Sequence, residues 1–177
     1  MLMSVNEIRE FIPNTTDTDS MLSTRLAAVE SMIRHYTNNN FQHKGFRITA
    51  DCDGSKFTSD SLVPFKVDDT VMISESELMN GMLLTVASVT GKTFTVKEDV
   101  SKEAAILVTR VVYPIDVKMG AVNLLKWELE NREKVGIASE TISRHSVTYF
   151  NMDGDNSVMG YPKSLLGFLK PYMKARF

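Results

Sequence analysis

The chain has 177 residues, 43% of them hydrophobic and 24% charged, with a net charge of −2. That is the size and balance of one globular domain, or of one domain carrying an insertion, with enough apolar material to bury a core unaided. The mild charge excludes a strongly basic nucleic-acid binder, and the single cysteine, Cys52, excludes an internal disulfide and points to a reducing folding compartment.

Taken in chain order, Ser4 caps a short helix with Val5, Ile8, Phe11 and Ile12 on one side, ended by Pro13. A polar linker, Asn14 to Ser20, leads into a long amphipathic helix. Its Leu22, Leu26, Val29, Ile33 and Tyr36 recur at alternating four- and three-residue spacing, and Asn38-Asn39-Asn40 ends it. From His43 to Tyr113 the period changes to two. Phe46–Ala50 and Lys56–Thr58 flank Asp53-Gly54, a hairpin signal, and Val67–Ile73 is a third strand. Asn80-Gly81 turns into Met82–Val89, Thr90-Gly91 into Lys92–Lys97, and Ile106–Tyr113 ends at Pro114. Six short strands with tight turns predict a small antiparallel barrel inserted between helices.

The helical period then resumes from Asp116 to Arg132. Met119, Val122, Leu125 (or Lys126) and Leu129 form the expected buried stripe, with Ile115 just before it and Leu124 and Trp127 widening it. Next, Ser139 to Phe150 is rich in β-formers and hydroxyls. As one strand it sets Ile142 on the opposite face from Val147 and Tyr149, so neither face is apolar enough to rest on the chain's own core. Two readings follow: a strand completed by another chain, or an edge strand. After a turn at Asp153–Asn156, Pro162 starts a final short helix with Leu165, Leu166, Phe168 and Leu169, closed by Pro171 and Tyr172. No acid follows Asp155, whereas Lys163, Lys170, Lys174 and Arg176 do. These cations either meet an acidic partner or are simply solvated, and the apolar residues either dock a partner or close the bundle.

The fold class expected is therefore α+β. A mainly α-helical bundle spans 1–42 and 114–177 and ends in a C-terminal docking helix; a small antiparallel β-barrel is inserted over 43–113. No run of eighteen apolar residues occurs, so no transmembrane helix is expected, and Met1 to Glu7 lacks the basic and apolar regions of a secretion signal. The eleven methionines suit adaptable packing surfaces or core filling.

No constellation for chemistry stands out. Cys52 lies between Asp51 and Asp53, whose carboxylates would raise a thiol pKa, and His35, His43 and His145 share no spacing with it. The histidines form no ligand pair. A calcium loop begun at Asn151 would need glycine at Asn156 and a carboxylate at Pro162, and has neither. No Gly-rich phosphate cradle is present. The expectation is a non-enzymatic protein with no cofactor and no metal.

Three stretches resemble the head–tail connector (adaptor) proteins of long-tailed bacteriophages. These are Ser31-Met32-Ile33-Arg34-His35-Tyr36 with Phe41; Leu124-Leu125-Lys126-Trp127-Glu128-Leu129-Glu130-Asn131-Arg132-Glu133; and Gly160-Tyr161-Pro162 through Leu166, Leu169, Pro171, Tyr172 and Arg176. The segment Gly136 to Tyr149 is similar to the Ser-rich stretch of many members. The β-insertion departs from the compact members, which have a short loop there. The resemblance implies a virion structural protein of the neck, made in the host bacterial cytoplasm. It implies a ring of about twelve copies beneath the portal protein, extending the DNA channel toward a further neck, head-completion or tail protein. DNA would pass through without sequence readout, and no membrane is involved. Candidate subunit or partner contacts are Ile142, Arg144, His145, Val147 and Tyr149 in the β-rich segment. In the C-terminal segment they are Tyr161, Leu166, Phe168, Lys170, Lys174, Arg176 and Phe177. The competing reading is a small-barrel nucleic-acid-binding module on a helical scaffold.

Overall fold

Ser4 and Glu7 close a reciprocal capping box that starts α1 (Val5–Phe11), each side chain taking the other residue's backbone N–H. Thr18 caps α2 (Asp19–Thr37), and Asn38 ends it in the left-handed conformation at φ 49°. The computed structural model describes residues 1–131, 139–142, 145–148 and 155–175. They fall into two compact units: one holds Met1 and Asn40–Tyr113, the other Leu2–Asn39 and Pro114–Phe177.

The first, the barrel unit, contains β1 (Gln42–Asp53), β2 (Lys56–Ser59), β3 (Thr70–Ser74), β4 (Leu83–Thr90), β5 (Thr93–Val96) and β6 (Glu103–Val111). They close in the order β1-β2-β5-β4-β3-β6, every neighbour antiparallel. Closure leaves no edge strand to template aggregation. The β1–β2 turn needs Gly54 at φ 58°, which the Asp53-Gly54 pair supplies. Inside, Phe57 stacks on Phe94 at 4.7 Å and Phe65 meets Phe94 edge-on at 5.4 Å, among Ile48, Val71, Ile73, Leu84, Val86, Ile106 and Val108. Where the chain enters and leaves, Phe41 and Tyr113 lie 4.9 Å apart, and the Val112 N–H donates to the Phe41 carbonyl.

The second, the split unit, joins α1 and α2 to α3 (Ile115–Asn131), β7 (Ser139–Ile142), β8 (His145–Thr148), β9 (Ser157–Val158), β10 (Tyr161–Pro162) and a C-terminal 3-10 helix, Lys163–Tyr172. α2, α3 and the 3-10 helix pack on one another, and α1 packs on α2.

Several expectations are corrected here. The fold is not a mainly α-helical bundle: the six barrel strands hold about as many residues as the three α-helices together, and the closed barrel is the largest regular structure. The stripe on α3 is also different. Ile115 is 76% exposed and Met119 38%, while Val117, Gly120, Ala121, Val122, Leu124 and Leu125 are buried. Val122 and Leu125 are buried as expected, but the buried face is centred on Val117, Ala121, Leu124 and Leu125, and the Phe168 ring covers Gly120, a position with no side chain to signal it.

The C-terminal element is a short helix with Pro162 at its N-cap, as expected, but of the 3-10 kind, Lys163–Tyr172. Pro162 also pairs with Ser157 in a two-residue ladder, and Pro171 lies inside the helix. A three-residue turn sets Leu166, Leu169 and Tyr172 in one row, which a 3.6-residue reading blurs.

Nor is 139–150 one strand. β7 and β8 pair antiparallel with each other, Glu140 opposite Val147 and Ile142 opposite His145. Cross-strand partners share a face, so Ile142 and Val147 belong to the same side of this ribbon. The reversal between the two strands undoes the parity of the single-strand reading.

Candidate functional site

The C-terminal strap, Tyr161 to Ala175, is tied to the split unit along its length. The Tyr161 hydroxyl donates to Glu128, and its ring lies 5.5 Å from Trp127. The Tyr172 hydroxyl reaches both carboxylate oxygens of Asp116 at 2.8 Å. This bond stabilises the neutral phenol and holds its pKa above the ordinary tyrosine value, with desolvation and the Asp116 charge adding to it. Asn39 donates to the Tyr172 carbonyl at 3.0 Å, Asn38 to that of Ala175 at 2.8 Å, and the Lys174 N–H to that of Thr37 at 2.8 Å. Leu166 and Leu169 are buried, each side chain contributing roughly 1.5–3 kcal/mol.

The candidate contact residues of this segment therefore divide. Tyr161, Leu166 and the half-buried Phe168 pack within the unit, while Lys170 and Lys174 are exposed. Arg176 and Phe177 lie outside the described residues, as do Arg144 and Tyr149. Ile142, His145 and Val147 are placed by the backbone ladder of the β7–β8 ribbon.

Two depressions gather polar side chains. One of about 410 Å3 in the split unit is lined by Asn14, Thr15, Asp17, Arg25, Lys126 and Glu128, among others. Its Arg25 guanidinium already bridges Asp17 at 2.8 Å and Glu128 at 3.3 Å. The other, about 630 Å3 and open, lies at one end of the barrel beside Asp51, Cys52, Asp53, Lys102 and Glu103. There the Cys52 thiol is buried and donates toward the carbonyls of Ser101 and Glu103, at 3.2 and 3.4 Å. Burial pushes its pKa up, and the Glu103 and Asp51 carboxylates push it further, the opposite of an activated nucleophile. Among the described residues no group of three or more His, Cys, Asp or Glu is arranged to hold a metal ion. No helix among them is long and apolar enough to cross a membrane.

In the β3–β4 connection, 75–82, the sequence marks the Asn80-Gly81 turn but not the loop that precedes it. The connection sits at the barrel end opposite Phe41 and Tyr113, because β3 and β6 are antiparallel and Ser74 pairs with Leu107. Glu103 organises it. Its carboxylate accepts from the Ser76 hydroxyl at 2.7 Å and the Glu77 N–H at 2.8 Å. These bonds, the Ser76 hydroxyl foremost, hold the Glu103 carboxyl below its ordinary pKa. The Ser76 hydroxyl in turn accepts from the Met79 N–H, and Met79 is buried. Glu75 takes the left-handed conformation at φ 56°, a small strain the rest of the loop holds in place. The outcome is an ordered loop that presents Leu78 with 71% of its surface exposed. Beside the Asn80-Gly81 turn, the sequence signals this loop by the run Glu75-Ser76-Glu77-Leu78-Met79, too polar for the strands on either side.

Comparison with known proteins finds neither a matching family model nor a matching curated protein.

Proposed function

We propose that this chain is an assembly subunit of a bacteriophage neck: a head–tail connector that forms a ring beneath the portal and extends the DNA channel toward the tail. The observation that carries the reading is where the three connector-like stretches meet. They are far apart in sequence, yet the end of α2 (Thr37, Asn38, Asn39) bonds Tyr172, Lys174 and Ala175 of the third stretch, and Trp127 and Glu128 of the second hold its Tyr161. Residues in or next to these stretches thus join within the split unit, while Phe41 of the first stretch belongs to the barrel unit inserted between Asn39 and Pro114.

The mechanism is geometric. The split unit keeps its C-terminal strap folded onto itself, and the barrel, closed on its own ladder, adds a platform without needing an edge strand from a partner. The buried, carbonyl-bonded Cys52 and the ion-paired Arg25 favour a structural role over catalysis. A nucleic-acid-binding barrel has less support. Segment 40–113 carries eight Lys and Arg against ten Asp and Glu, and its Phe57, Phe65 and Phe94 are buried instead of forming a stacking face.

Electron microscopy of the full chain mixed with purified portal rings tests the proposal. The expected image is an added ring coaxial with the portal channel. Portal particles without added density at saturating concentration, with the chain remaining monomeric, would refute it.

A further inference from the structure

The barrel tip and the split unit present complementary surfaces. On the tip, Leu78 is 71% and Met82 40% exposed, and the exposed acids Glu75 and Glu77 precede Leu78 in the loop. At the same barrel end Asp53 pairs with Lys102 at 2.9 Å, Asp99 lies against Gly54, and Lys56 and Lys102 stand beside Asp51, Asp53 and Glu103, so the acids that distinguish the tip are Glu75 and Glu77. The tip is also preorganised. Glu103 ties Ser76 and Glu77, the Gly81 N–H donates to Ile73, and the Met82 N–H donates to Met79. A leucine held outward on an ordered loop loses little entropy when it is covered, which is the usual build of an interface anchor.

The split unit offers the opposite signs around an apolar centre. Ile115, 76% exposed, and Met119, 38% exposed, are one helical turn apart on α3. The Tyr172–Asp116 bond ties the end of the strap to that first turn, and Met173, 51% exposed, follows Tyr172. The cations here are Lys118 on α3 and the exposed Lys170 and Lys174 on the strap; of the neighbouring acids, Asp116 is already bonded by the Tyr172 hydroxyl and Glu7 lies within reach of the Lys118 charge. We infer that the barrel tip of one copy, centred on Leu78, docks on the Ile115–Met119 face and basic strap of the next copy. One contact surface meets a different one, so the interface is heterologous and repeats head to tail; a ring closes when the rotation allows.

This inference rests on the ring reading and adds to it the surfaces that meet. It also gives the barrel insertion a task, since compact connectors without it would have to join by other contacts. Opposed charges at the rim steer the approach and make assembly weaken with salt, while the apolar centre supplies the adhesion.

Cross-linking between separately labelled chains tests it. Leu78→Cys and Met119→Cys chains are mixed under mild oxidation; Cys52, 3% exposed, is the only other thiol. The expected product is a disulfide-linked pair of unlike chains, in clear excess over pairs of like chains, and a ladder of oligomers from the double variant. In parallel, Leu78→Asp, which alters a solvent-facing side chain and keeps the melting profile of the parent, weakens self-association at least about tenfold. A parent chain that forms rings while the cysteine variants give no unlike pairs and Leu78→Asp leaves the mass unchanged overturns the interface and leaves the ring reading standing. A parent chain that stays monomeric at every concentration, alone and with portal rings, overturns the ring reading and this interface together.

Discussion

The barrel unit and the split unit are held together in different ways. The barrel closes through its own backbone ladder around a continuous apolar core, and each pairing is made within residues 42–111. The split unit is built from two distant pieces of chain. Its two pieces pack through buried apolar residues, Leu22, Leu26, Val29 and Ile33 from the first and Val117, Leu124, Leu125, Leu166 and Leu169 among those from the second, and polar ties such as Asn38 to Ala175 and Asn39 to Tyr172 join them. The barrel's strands come from one continuous stretch of chain, with Met1 added to the unit, whereas the split unit is assembled from two stretches joined by the strap, Tyr161 to Ala175. The ends of the inserted segment lie together, since the Phe41 and Tyr113 rings are neighbours, so an insertion there puts little demand on the geometry of its host.

The largest effect that would sharpen this contrast is in the barrel core. Phe57→Ala removes a fully buried ring stacked on Phe94 and costs about 3–5 kcal/mol. Barrel amides should lose exchange protection while those of α2 and α3 keep theirs; loss in both units at once would break the distinction.

A smaller effect is expected at Gly120. A Cβ there would lie 2.3 Å from two atoms of the Phe168 ring, so Gly120→Ala must displace the ring and costs about 1–3 kcal/mol in the split unit alone. Combining it with Phe168→Leu should cost less than the sum of the single changes, as denaturant titration of the four proteins would show. Strict additivity would mean that the ring does not bear on the glycine.

The smallest effects are the most selective, because pH addresses the two units from opposite sides. Tyr172 has a raised pKa, so its bond to Asp116 stabilises below the ordinary tyrosine value and is lost as pH rises through the raised one. Glu103 has a lowered pKa, so its hold on Ser76 and Glu77 is present above the ordinary carboxylate value and is lost as pH falls through the lowered one. NMR should show an alkaline step confined to the strap, abolished by Tyr172→Phe. It should also show an acid step at the Glu77 amide, abolished by Glu103→Gln. A single step shared by both units would contradict their separation.

Much of this fold is legible in the residues where local chemistry decides. Leu22, Leu26, Val29 and Ile33 are all buried on α2 as their spacing predicts, and the Asp53-Gly54 turn sets the register of β1 on β2. What stays hidden is decided by long-range contact or by the absence of a side chain. Gly120 and Ala121 carry no hydrophobic signal, yet they form the contact row of α3, so the apolar Ile115 and Met119 are taken for core. The closing pair of the barrel, β1 with β6, joins residues some fifty to seventy positions apart, and a period-two pattern does not name its partner. In the same way, nothing local separates Leu78, exposed, from Met79, buried; the difference is made by Glu103, which comes from another strand. The candidate contact residues of the strap were legible as an apolar and basic set, but not how that set divides between the unit's own core and its surface.

Hydrogen exchange on the chain ended at Pro162, beside the full chain, tests the contrast between the units most directly. Removing the strap takes away Leu166, Phe168, Leu169 and the bonds from Asn38, Asn39 and Asp116. The expected result is that amides of α2 and α3 exchange far faster while those of β1 to β6 keep their protection. Barrel amides that lose protection along with the helices, or helices that keep theirs without the strap, would contradict it.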